Sequence, residues 1–277
     1  MKIISELCQN HNGDRNLLEK MIKSASVDSD IIKIQSIKVD TFTKREEYEQ
    51  FRPYDAEYIR LRGLELSKED ELFFVQKCKE YGVESMTTIF SPSHFEYFNS
   101  IGYDYLKLSG YSLEAFDYGL KLDKFNFKKL FFSTSSLSLD EISKVLTNLR
   151  EMGIEFEMMN CTCVYPTPLE KANLQNIEFY KSYFALDEIG YSDHSNPHED
   201  NLLTTKLAIF SGISVLERHF TILDIDKTRD GKVSITPSML KELRRFSNLT
   251  QKNQYIELNQ FNEEQQHNHD YYKGRFI

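Results

Sequence analysis

Two histidines and two lysines carry most of the chemistry on offer in this sequence. His194 closes the run Ile189-Gly190-Tyr191-Ser192-Asp193-His194, and His219 stands in Leu216-Glu217-Arg218-His219-Phe220. Each run passes from apolar, β-prone residues into an imidazole. Between them, residues 202–210 have a helical pattern closed by Gly212. A strand, a crossover helix and a second strand bring both imidazoles to the same ends of neighbouring parallel strands, where they can share one divalent metal. Lys33 lies between Ile32 and Ile34, and Lys107 between Leu106 and Leu108, each inside an otherwise apolar strand. A buried lysine is rarely left unpaired. Lys33 alone could be a structural partner of Glu6. Two such lysines read better as an anion clamp for phosphate or carboxylate, each acting as a point charge.

These groups need a scaffold, and the chain supplies alternating strand and helix patterns from end to end. Strands are expected at residues 3–8, 31–35, 85–90, 105–109, 129–134 and 156–162, besides the two that carry the histidines. Helices are expected at 14–25, from Ser67 to Gly82 with Leu72, Val75 and Cys78 facing inward, and from Pro92 to about residue 100. Others follow near 113–120, after the capping box Ser138-Leu139-Asp140-Glu141, within 169–183, and at 236–249. Residues 36–63 form a polar, aromatic-rich insertion, which reads as a loop over an active site.

Eight strand-helix units within residues 1–250 fit an α/β fold, a closed (β/α)8 TIM barrel. An open doubly wound sheet fits less well, because no Gly-rich dinucleotide turn follows the first strand. The tail, residues 251–277, is polar but ends in Tyr271-Tyr272-Lys273-Gly274-Arg275-Phe276, so its end is expected to dock. Polar residues gather where strands finish: Glu6, Asn10 and His11; Lys33 and Gln35; Thr88 and Ser91; Lys107 and Ser109; Ser133 to Ser135; Cys163 and Tyr165; Ser192 to His194; Glu217 and His219. That end of a barrel is where its active site is built. His11 serves equally as a loop-stabilising residue, and His198, His267 and His269 read as solvated.

A net charge of −9 argues against nucleic acid as the main partner, although local lysines can still attract an anionic small molecule. No apolar run reaches the length of a membrane span, and the N-terminus shows no signal-peptide core, so a cytoplasmic location is expected. Cys8, Cys78, Cys161 and Cys163 suit a reducing compartment. The Cys161/Cys163 pair is weak evidence for zinc, and small buried thiols are the better reading.

Several segments together resemble the sialic acid (N-acetylneuraminate) synthase family. They are Glu6-Leu7-Cys8-Gln9-Asn10-His11-Asn12-Gly13-Asp14, Ile32-Lys33-Ile34-Gln35, Ser133-Thr134, Cys161-Thr162-Cys163-Val164-Tyr165-Pro166-Thr167-Pro168, the run ending at His194, and residues 216–221. The resemblance spans about residues 3–249. It implies a barrel that condenses phosphoenolpyruvate with an aldose, usually a 2-acetamido hexose, to a 3-deoxy-2-keto sugar acid with loss of phosphate. By the same resemblance, His194 and His219 hold a divalent metal, Mn2+ foremost with Mg2+ or Co2+ as alternatives. Lys33, Lys107, Thr88 and Ser192 map onto phosphoenolpyruvate-binding groups. Glu6, Gln35, Tyr165 and Asp230 map onto groups near the sugar or metal, and a homodimer is implied.

The departures fall on the sugar side. After Lys107 the run is Leu108-Ser109-Gly110-Tyr111-Ser112, without the family's acidic residue. Cys163 replaces an asparagine, and Ser133-Thr134-Ser135-Ser136 replaces Ser-Thr-Gly-Met. No C-terminal antifreeze-like domain, which in the family donates an arginine to the partner subunit, is expected here. An altered acceptor aldose follows, with Arg275 as a stand-in for that arginine, in cis or across a dimer. The rival expectations are a non-catalytic barrel paralogue that binds a ligand or partner, and a different metal-dependent barrel enzyme such as an isomerase or aldolase.

Overall fold

The structure, a computed structural model, describes residues 1–110, 125–253 and 263–275. Its strands are β1 (Lys2–Cys8), β2 (Ile31–Ser36), β3 (Glu84–Ile89), β4 (Tyr105–Leu108), β5 (Lys129–Ser133), β6 (Phe156–Cys161), β7 (Gly190–Asp193) and β8 (Val215–Phe220). Each pairs in parallel with the next, and β1 also pairs with β8, so the sheet closes. This is the expected eight-stranded barrel. A short β9 (Ser234–Ile235) runs alongside the end of β8, with His219 opposite Ser234.

The helices are α1 (Arg15–Ala25), α2 (Tyr54–Arg62), α3 (Lys68–Glu80), α4 (Phe95–Ile101), α5 (Leu139–Glu151), α6 (Gln175–Phe184), α7 (Leu203–Phe210), α8 (Pro237–Asn253) and α9 (Glu263–Tyr272). The helix expected near 113–120 lies outside the described residues. Helix starts follow the cap chemistry. Asp14 accepts from the backbone of Asn16 and Leu17, Ser67 accepts from Asp70, and Ser138 and Glu141 form the reciprocal capping box. No helix among the described residues is long and apolar enough to cross a membrane.

Period-two alternation along the strands explains both faces of the barrel wall. Outward residues such as Ile3, Ile32, Leu106, Phe132 and Leu216 pack beneath the helices with Leu18, Phe74, Ile142 and Ile177. Each such burial contributes about 1.5–3 kcal/mol. Inward residues form two layers. The lower is apolar: Ile4, Ile31, Met86, Tyr105, Phe131, Met159 and Val215. Strand β7 places Gly190 near this layer, where an added Cβ would lie 2.5 Å from Val215 Cγ1 and 3.1 Å from Met159 Cγ. Two residues further along their strands come Glu6, Lys33, Thr88, Lys107, Ser133, Cys161 and Glu217, which line a polar cavity. The switch from apolar floor to polar layer is therefore one step of the pleat.

Two expectations need correcting. The insertion at 36–63 is not a plain loop: it holds two 3-10 turns and helix α2, in which only Leu61 is buried. A helix with one buried side chain shows no apolar stripe to read. In α3 the inward set is Glu71, Phe74 and Cys78, while Leu72 is 42% exposed. Glu71 is drawn inward by Lys38 Nζ at 2.7 Å, the Tyr103 hydroxyl at 2.8 Å and Ser36 Oγ at 3.0 Å. The polar tail contains helix α9, none of whose residues is buried.

Candidate active site

The inner cavity of about 120 Å³ is organised around Glu217 on β8. Glu217 Oε1 receives Lys107 Nζ at 2.6 Å, Ser192 Oγ at 2.9 Å and Lys33 Nζ at 3.4 Å. Lys33 also donates to Thr88 Oγ1 at 2.9 Å and is in close contact with Glu6. All six side chains are at most 5% exposed. The two lysines thus converge across the barrel, as the clamp reading required. Here each is held by a carboxylate. Burial alone would raise the Glu217 carboxyl, but Lys107 and Lys33 outweigh it and hold the group well below the usual carboxylate range. Burial opposes the charge on Lys33, yet Glu217 and Glu6 raise its pKa. Lys107 is lowered, chiefly by burial, and Glu6 is raised, again chiefly by burial.

Next to this layer stand the imidazoles. The rings of His194 and His219 lie 5.2 Å apart, centroid to centroid. His194 Nδ1 is 3.1 Å from the Thr162 carbonyl and therefore carries the proton, which leaves a lone pair on Nε2. That nitrogen meets the Tyr165 hydroxyl at 3.0 Å. Burial pushes His194 down to about 4, and takes His219 well below its ordinary value, so both rings are neutral donors near pH 7. His219 Nδ1 is buried with no hydrogen-bond partner, and Asp230 Oδ2 approaches it to 3.7 Å. Ligand atoms of Cys8, His219 and Asp230 all fall within 4.8 Å of one another. Burial, then Asp230 and Glu6, push the Cys8 thiol well above its ordinary range. Neutral imidazole lone pairs, one of them orphaned, beside a carboxylate and a thiol are a donor set that fits a divalent ion.

The site opens into an outer cavity of about 770 Å³, which shares Gln35, Phe90, Tyr165 and His219 with the inner one. The insertion roofs it with Lys38, Phe42, Arg52, Glu57 and Arg60, and the β8 loop adds Arg229 and Asp230. Ser109 lines the inner cavity. Arg275 lines neither cavity in this chain. It is exposed and stacks on Tyr271, its guanidinium carbon 4.0 Å from the ring centroid. His11 is the loop-stabilising residue: its Nδ1 accepts the Gly13 N–H at 3.1 Å.

The chain belongs to the NeuB family. That family's profile matches residues 21–255. The N,N'-diacetyllegionaminic acid synthase of Campylobacter jejuni is 30% identical over 251 residues, 87% of this chain and 73% of that protein. The enzyme of the same name from Legionella pneumophila is 28% identical over 258 residues, 87% and 69% of the two chains. The crystal structure of N-acetylneuraminic acid synthetase from Leptospira borgpetersenii superposes with a TM-score of 0.80 at 24% identity, covering 97% and 90%. At that identity the likeness bears on the fold. NeuB membership agrees with the resemblance seen in the motifs.

Three residues of this NeuB site were not singled out from the sequence. Glu217 was noted only as a strand-end acid, yet it is the hub of the lysine layer. Cys8 was noted only among the cysteines that suit a reducing compartment, yet it stands apart from the apolar cluster that holds Cys78. Arg218 faces outward and is fully buried. It pairs with Asp193 at 2.8 Å and donates to Ser195 Oγ and O, both at 3.1 Å, and to the Val233 carbonyl at 3.2 Å. It thereby fixes the two loops that follow His194 and His219. A charged residue inside an apolar strand was the signal available for both Glu217 and Arg218.

Proposed function

We propose that this chain condenses phosphoenolpyruvate with an aldose to give a 3-deoxy-2-keto sugar acid of the nonulosonic type, releasing phosphate. The observation that carries the reading is the convergence of Lys33 and Lys107 on Glu217, beside His194 and His219, in a NeuB-family barrel. The names of its relatives, legionaminic and neuraminic acid synthases, support the product class.

Lys33, Lys107, Thr88 and Ser192 hold the phosphate and carboxylate of phosphoenolpyruvate in the inner cavity. Preorganised cations in a buried site act on such an anion without having to reorganise. The aldose occupies the outer cavity, its aldehyde toward His219 and its far end toward the arginines of the insertion, with Gln35 at the junction of the two cavities and Ser109 contributing from the inner one. Carbon 3 of phosphoenolpyruvate bonds to the aldehyde carbon, water adds at carbon 2, and the carbon–oxygen bond to phosphate breaks. Glu6, raised by burial, and the Tyr165 hydroxyl are the groups that exchange protons there. A divalent ion on His194 and His219, Mn2+ foremost, would supply polarisation of the aldehyde. Arg275, exposed on the segment after α9, is the arginine that a second copy of the chain could present to the acceptor.

The acceptor differs from N-acetylmannosamine, because Cys163, Ser135 and the run after Lys107 depart from the family pattern, with Cys163, Ser135 and Ser109 in the wall of the inner cavity. The test is phosphate release from phosphoenolpyruvate and Mn2+ with a panel of amino- and deoxy-hexoses, with the keto acid identified by mass spectrometry. Release with one aldose, abolished by Lys107→Met, is the expected result. No release with any aldose, while phosphoenolpyruvate still raises Tm, would make the barrel a non-catalytic binding protein.

A further inference from the structure

The thiol of Cys8 has no part in the chemistry above, and its setting is unusual. Strand β1 is broken by a bulge between Glu6 and Cys8, and Cys8 sits at φ 47°, in the left-handed region that a side chain rarely adopts. Its backbone N–H is tied to Glu6 Oε1 at 2.6 Å. The turn carries the sulfur to the cavity wall, where Cys8, His219 and Asp230 line the same opening. Their ligand atoms lie within 4.8 Å of one another. A second observation points independently to a ligand. His219 is 4% exposed, yet its Nδ1 has no partner.

From this geometry we infer that Cys8 and Asp230 are metal ligands with His219, so that the ion is held by a thiolate, a carboxylate and imidazole. The inference rests on the metal-dependent reading of the site and adds to it a donor set and a metal class. Ligand bonds of about 2.0–2.3 Å in tetrahedral geometry put donor atoms about 3.5 Å apart. His219 Nδ1 and Asp230 Oδ2 are already at 3.7 Å, and the wider spacing closes by small side-chain rotations. Two anionic and one or two neutral donors neutralise a divalent charge. With sulfur in the set, the preference departs from the Mn2+ that the family resemblance puts first and moves toward Zn2+, Co2+ and Fe2+, for which a thiolate is the better partner. Cys161 does not compete: its sulfur faces His194 Nδ1, the nitrogen already bonded to the Thr162 carbonyl.

Cobalt reads the sulfur directly. The chelator-stripped full chain is titrated with Co2+ without oxygen and without substrate. Both a visible ligand-field band and a near-ultraviolet thiolate-to-cobalt charge-transfer band are expected. Cys8→Gly and Cys8→Ser should lose the charge-transfer band and weaken Zn2+ binding by more than about tenfold. Cys161→Ser and Cys163→Ser should keep the band. Glycine is at ease at φ 47°, so Cys8→Gly retains the fold, which circular dichroism checks. Asp230→Asn should weaken Zn2+ binding and leave the charge-transfer band in place. Cobalt bound without that band, a band that survives Cys8→Gly, or no cobalt binding at all overturns the inference. Because no substrate is present, failure of the synthase reaction and failure of the thiolate ligand are separate results.

Discussion

Replacing Glu217 by glutamine keeps the side chain's shape and removes the one carboxylate within ion-pair distance of Lys107 among the described residues. Lys33 would keep Glu6, but Lys107 would be left as a buried ammonium with only hydroxyl company. Removing one partner of a buried ion pair costs about 3–5 kcal/mol, much more than an exposed pair is worth. That corresponds to a fall in Tm of roughly 6–20 °C. Lys107→Met should cost a similar amount from the other side, since Glu217 would then rely on Lys33 at 3.4 Å. The informative protein is the double variant. With both charges gone, nothing is stranded, so its loss should be smaller than the sum of the single losses by about 1–3 kcal/mol. Urea denaturation followed by circular dichroism, in phosphate-free buffer, measures all four proteins. Added phosphate at a hundred times its Kd should stabilise the wild type by about 2.7 kcal/mol and Lys107→Met by much less. Additive single losses, agreeing within about 0.5 kcal/mol, would refute the hub role of Glu217.

Further outcomes follow from residues around the site. Burial lowers His11 to about 4. Between its ordinary 6.5 and that value the unfolded chain takes up a proton that the folded one refuses, so stability falls as pH drops through this window and is flat above it. His11→Asn should flatten the profile by up to about 3 kcal/mol, read from denaturation midpoints across pH; an unchanged slope contradicts the assignment. Arg218→Met leaves Asp193 buried without its cation and should lose about 3–5 kcal/mol in the same denaturation assay. Gly190→Ala drives a methyl against Val215 and should cost about 1–3 kcal/mol, with Val215→Ala on the same chain restoring part of it.

Much of the barrel was legible because the physics is local. A strand covered on both faces reads as a short apolar run, and a polar residue two positions beyond the floor marks the cavity layer, as Ile31 and Lys33 or Tyr105 and Lys107 illustrate. Caps at Ser67 and Ser138 marked helix starts for the same reason. The hidden parts depend on distances across the barrel or on side chains turned by a partner. Glu217 is separated from Lys33 by most of the chain. Leu72 faces solvent because Lys38, Ser36 and Tyr103 claim Glu71 instead. Helices α2 and α9 bury almost nothing, so no periodicity announced them. The bulge that turns Cys8 toward Asp230 leaves no trace in composition.

The apolar lower layer has a kinetic consequence. Among the described residues, seven interlocked side chains stopper the barrel beneath the lysines, and the well above them leads into the outer cavity. A molecule that reaches Lys33 and Lys107 from the outer cavity passes Tyr165 and His219, which line both. Under the condensation proposed above, loading by this route is last-in, first-out: phosphoenolpyruvate would enter ahead of the aldose, and the sugar acid would clear the doorway before the phosphate beneath it.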